Sequence, residues 1–71
     1  MPRKSGLIPQ APVKRIMLDS GANRVSSDAV STMTDILIEL GMEIGEQSVR
    51  IAKHAGRKTV TASDVKMASK D

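Results

Sequence analysis

The feature that most constrains this chain is its middle. From Ser27 to about Ala55 there is no proline, and apolar or small residues recur at steps of three or four: Ala29, Met33, Ile36, Leu37, Leu40, Ile44, Ser48, Ile51 and Ala55. That spacing predicts one helix. At 1.5 Å per residue, roughly 28 residues span about 40 Å, too long for a compact monomer of this size. A second stripe (Ile38, Met42, Gly45 and Val49) lies on a different side of the same helix. A helix that is apolar on more than one face has to be covered on more than one face. Gly41 and Gly45 each cost about 1 kcal/mol in a helix interior relative to Ala, so they make sense where another backbone crosses close by.

Too little chain remains to provide that cover. Seventy-one residues form one domain at most, and there is no cysteine, Phe, Tyr or Trp. A chain this short buries only about 60% of its unfolded surface, and small chains usually add a disulfide, a metal or a partner. Without cysteine there is no disulfide or thiolate site. The single histidine, His54, supplies no local metal cluster. Oligomerisation is therefore the expected source of the missing stability.

The flanking segments read as short elements. "MPRKSGLIPQAP" holds all three prolines and reads as a basic N-terminal arm over residues 1–10, ahead of a domain over 11–71. Leu7 and Ile8 are the arm residues able to dock on a core. "PVKRIMLDSG" reads as a short helix with Pro12 in its first turn, Val13, Ile16 and Met17 on one stripe, and Gly21 as its stop. "ANRVS" is a loop, and Ser26 or Ser27 caps the long helix, with Asp28 in its first turn. Gly56 ends the long helix. "TASD" then forms a capping-box variant, Thr61 with Asp64, that starts a last short helix carrying Val65, Met67 and Ala68. The predicted class is all-α: short helix, loop, long helix, loop, short helix.

Net charge is +3, but its layout says more than its size. Arg3, Lys4, Lys14, Arg15 and Arg24 precede Asp28 against Asp19 alone. Asp28, Asp35, Glu39, Glu43 and Glu46 follow with no base among them. From Arg50 onward the bases return as Arg50, Lys53, Arg57, Lys58, Lys66 and Lys70. This basic–acidic–basic order predicts separated contact points for a polyanion around a middle that avoids it.

"HAGRKTVTASD", His54 to Asp64, is the stretch where chemistry concentrates. It is not a Walker A loop. Arg57, not Lys, follows Gly56, Ile51 stands where the earlier glycine belongs, and a helix rather than a strand precedes it. No serine or threonine sits in a nucleophile elbow beside His54, so the reading is of a non-enzyme with no cofactor and no small-molecule substrate. No run of eighteen apolar residues exists for a membrane span, and the N-terminus lacks the apolar core of a secretory signal, which points inside the cell. What remains is a loop offering Arg57, Lys58, the Thr59 hydroxyl and backbone N–H groups to a phosphodiester. If two long helices pair antiparallel, the first loop of one chain lies beside the second loop of the other. Arg24 and Lys58–Thr59 then make composite sites at both ends of a dimer, and Lys14 with Arg15 a third.

With these residues in place, the segment from about Leu7 to Lys70 resembles the archaeal histones. The resemblance is carried by Ala11–Pro12, Arg15, "GANRVSSDA" over 21–29, Glu39–Leu40–Gly41, and "HAGRKT" over 54–59 with Asp64 after it. It implies a histone fold, an intertwined handshake homodimer that wraps double-stranded DNA, assembles further dimer by dimer, pairs in some cases with other histone chains, and sits on the chromosome in the cytoplasm. By position, it implies that Arg24 enters the minor groove, that Lys58 and Thr59 contact phosphate, and that Arg15 is a first-helix contact. Arg57 and Asp64 are implied as an internal salt bridge. His54, Ile51, Asp64 and Met67 are implied as the face through which dimers join, with His54 bonding to Asp64 of a neighbouring dimer, and Gly21 as the small residue at stacked turns. Asp35, Met42 and Ser63 depart from the charges common there. A histone-fold protein that pairs with a different chain in a transcription-type complex, with little DNA wrapping, is the alternative.

Overall fold

A computed structural model describes residues 7–70 of the chain. The elements are α1 (Gln10–Asp19), α2 (Ser27–His54) and α3 (Ala62–Ser69), with no strand among the described residues. They group into two compact units, one up to Glu39 and one from Leu40, with α2 running through both.

In the first unit, Pro9 adopts φ −61° and ψ 145° as the N-cap of α1. Gln10, the last residue assigned to the arm from sequence, is thus the first residue of the helix. Pro12 falls in the opening turn, where its missing N–H would have had no intrahelical partner. Residues 1–6 of the arm lie outside the described residues. Gly21, at φ 114°, terminates α1. Its N–H donates to Leu18 O (3.0 Å) and that of Ala22 to Met17 O (3.4 Å), a bond pattern that uses up two terminal carbonyls. Ser26 caps α2 by accepting from the Ala29 N–H at 3.1 Å. Val13 and Val30 form the centre of this unit at 1% and 5% exposure. The Gln10 side-chain amide donates to Ser31 Oγ at 3.2 Å, tying α1 to α2.

In the second unit α3 packs on the later turns of α2. Ala52 and Ser48 are buried, and the Ser48 hydroxyl donates to Ile44 O at 2.7 Å, so its burial leaves no unmet bond.

The innermost line of α2 is Val30, Thr34, Ile38, Ser48 and Ala52. Val30, Thr34 and Ala52 belong to neither stripe predicted from sequence. Small side chains let α1 and α3 approach the α2 backbone, and the bulkier residues of the two stripes are left outside. Ile36, Leu40, Met42 and Val49 of α2 are exposed, as are Leu7, Ile16, Leu18, Val60, Val65 and Met67 elsewhere. Only four apolar side chains are buried among the described residues. The single chain leaves most of its apolar surface in water, the state expected of a protomer that folds with a partner. Around Gly41 and Gly45 nothing lies within 4 Å of where a Cβ would stand, so no described part of the chain makes the close crossing there.

Candidate nucleic-acid interface

The loop after α2 is built by its own backbone. Gly56, at φ 75°, takes the left-handed turn that a Cβ would resist. Its N–H reaches Lys53 O and the Arg57 N–H reaches Ala52 O, both at 2.9 Å. The chain is thereby turned so that Arg57 faces α3.

Arg57 and Asp64, seven residues apart, meet in a two-point ion pair. Nη2 donates to Oδ1 at 2.8 Å and Nη1 to Oδ2 at 2.9 Å. Nη1 also reaches Thr59 O at 3.3 Å. Oδ2 accepts the Thr61 N–H at 2.9 Å, and Thr61 Oγ1 accepts from the Asp64 N–H at 3.4 Å, completing the capping box of α3. The Asp64 side chain is 2% exposed and that of Arg57 41%. The Arg57 guanidinium, and after it the Thr61 N–H, hold the Asp64 carboxyl well below the ordinary carboxylate range, against the opposing effect of burial. Asp64 in turn raises Arg57. The positive charge of Arg57 is therefore committed inside the protein.

Its neighbours are not committed. Lys58 and Thr59 are exposed, and neither side chain makes a hydrogen bond or ion pair with any described residue. The loop before α2 holds Arg24 in the same condition, exposed in irregular backbone. On α1, Lys14 lines a groove with Gln10, Ala11, Val25, Ser27 and Val30. Arg15 pairs with Asp19 at 3.6 Å one helical turn away, with both side chains largely solvated. Such a pair is worth at most about 1 kcal/mol and yields readily to a competing anion.

A second surface lies on the later turns of α2 against α3. Ile51, His54 and Met67 line one groove together with Gln47 and Arg50. Arg50 donates through Nη2 to Gln47 Oε1 at 2.6 Å. Sequence reasoning did not single out these two polar residues. Their i,i+3 spacing, and their steps of four and three to Ile51 and His54, were the available signal. Asp64 is not part of this groove lining. Its Oδ1 accepts one bond and its Oδ2 two, so Oδ1 retains a lone pair.

The geometry thus gives three helices, cations presented on two loops and a large unspent apolar surface. The sequence matches the family described as histone-like transcription factor (CBF/NF-Y) and archaeal histone over residues 7–68. It is 44% identical over 63 residues to the archaeal histone HAN1 of Thermococcus zilligii, covering 89% of this chain and 94% of that one. It is 48% identical over 61 residues to probable archaeal histone 3 of Methanocaldococcus jannaschii, covering 86% and 91%. The DNA-binding protein HmvA of the same organism is 36% identical over 63 residues, which are 84% of this chain and 62% of that protein. A match across nearly the whole three-helix body, on both loops as well as the helices, means that the chain belongs to the family of histone-like transcription factors and archaeal histones.

Proposed function

We propose that this chain is a sequence-tolerant, DNA-wrapping architectural protein that works as a histone homodimer and assembles on the chromosome dimer by dimer. One observation carries the reading. Each loop presents a cation with no use among the described residues, Arg24 and Lys58, while the adjacent Arg57 is tied down by Asp64 and fixes the loop. A protein whose loops served only to join other proteins would have little need of such cations. Two relatives named as archaeal histones and one named as a DNA-binding protein support the same reading.

In the dimer, the exposed α2 stripes of two copies cover each other, with Gly41 and Gly45 allowing close passage. The first loop of one protomer then stands beside the second loop of its partner. Arg24 enters the minor groove, and Lys58 and the Thr59 hydroxyl hold phosphates beside it. Lys14 and Arg15 hold a further phosphate, and Gly21 leaves room where successive turns stack. No side chain is aimed at base edges, so preference among DNA sequences arises from how readily each bends. Dimers join through Ile51, His54 and Met67, with His54 reaching the remaining lone pair of a neighbouring Asp64.

Arg24→Ala tests this directly. Affinity for duplexes of unrelated sequence, measured by fluorescence anisotropy at moderate salt, is expected to fall by a similar factor for each. Unchanged affinity would remove the minor-groove role.

A further inference from the structure

The groove proposed to join dimers is chemically unusual in where its apolar area comes from. Ile51 is half-buried, and Gln47, Arg50 and His54 are polar. Met67 is 60% exposed, so it supplies most of the open apolar surface on this face. It is also the most exposed methionine among the described residues: Met42 is 39% exposed, and Met17 and Met33 are less so.

A thioether in that setting is a modification site. We infer that Met67 is a peroxide-sensitive element whose oxidation separates dimers from one another while leaving each dimer folded and bound to DNA. This rests on the reading that the Ile51–His54–Met67 face joins dimers. In the reaction the Met67 sulfur attacks one oxygen of hydrogen peroxide and the O–O bond breaks. The sulfur is oxidised by two electrons to a sulfoxide, and the second oxygen leaves as water. The apolar contact becomes a polar one, which weakens a methionine-based interface. Three features of the structure make the change selective. Exposure favours attack at Met67 over Met17 and Met33. The same groove holds Arg50, Gln47 and His54 as donors for a new sulfoxide oxygen. Met67 also lies outside the Arg57–Asp64–Thr61 brace, so the DNA-facing loop keeps its shape. Linkage adds a reciprocal effect: if oxidation weakens joining, joining slows oxidation by the same factor.

The test uses the full chain with linear duplex DNA. Free protein is treated with hydrogen peroxide, oxidised positions are mapped by peptide mass spectrometry, and nuclease-protected lengths are compared before and after. Sulfoxide is expected first at Met67, with a roughly tenfold loss of protected fragments longer than one dimer's footprint. Single-dimer affinity and helical circular dichroism should be unchanged. Met67→Leu, a volume-conserving change, should keep the longer fragments after the same treatment. Should Met67→Leu disturb assembly on its own, Met67→Ile serves as the resistant variant. Longer fragments that survive peroxide while Met67 is oxidised would overturn the inference. So would their equal loss in the resistant variant, or dissociation of the dimer itself through Met42. If untreated protein never protects more than one dimer's length, the assembly reading fails as well, an outcome distinct from insensitivity of an intact ladder.

Discussion

At the scale of single residues, the second loop separates into parts that sequence alone presents as one basic run. Arg57 is spent on Asp64 and on the Thr59 carbonyl. Lys58 is left for phosphate, and its removal should reduce the slope of log affinity against log salt by about one. That slope is read from binding titrations at several salt concentrations, and an unchanged slope would mean that Lys58 does not reach the DNA backbone. Asp64 makes a different prediction. Its folded pKa lies below the ordinary value of 3.8, so the pair's stabilisation is fully present at neutral pH. It begins to drain away as pH falls through 3.8 and is lost further toward the lower folded value. Thermal stability of the protein should therefore fall steeply in that acid window. Asp64→Asn should be less stable at neutral pH and lose less than the parent on acidification. An identical acid dependence in the two proteins would show that the brace contributes nothing.

At the scale of elements, every helix is bounded by a device that the sequence announces. Ser26 caps α2, Thr61 and Asp64 box the start of α3, and Gly21 and Gly56 turn the chain out of α1 and α2. Gly56→Ala forces a Cβ into the left-handed region and should cost about 1 kcal/mol. It should also displace Arg57 from Asp64, because both depend on the same turn. Chemical denaturation gives the first effect, and a loss of DNA affinity beyond it gives the second. The three helices were legible because caps and a 3.6-residue apolar period are local signals. The Arg57–Asp64 pair was not derivable in that way. Seven residues and a loop separate its members, so no helical spacing rule joins them, and only the family resemblance pointed to it. The inner line of Val30, Thr34, Ser48 and Ala52 was hard to read for a different reason. A search for apolar bulk finds the large residues, whereas close helix packing selects small ones. Gln47 and Arg50 escaped because polar residues bordering an exposed groove carry no periodic signature.

At the scale of the whole molecule, the chain is short of core and rich in exposed apolar surface. Val13, Val30, Ile38 and Ala52 are its only buried apolar side chains among the described residues, against ten large exposed ones. Pairing removes that imbalance and brings the loop cations of two protomers together. The fold, the stability and the DNA site thus become one requirement, which is that a second copy be present. Counterion release then makes binding fall steeply with salt, with little regard for sequence. Nuclease digestion of saturated protein–DNA complexes on two duplexes of unrelated sequence tests this account most directly. It predicts protected fragments that grow in equal steps, with the same step on both duplexes, as dimers add one by one. Absence of protection at saturation, or protection confined to one sequence, would contradict it.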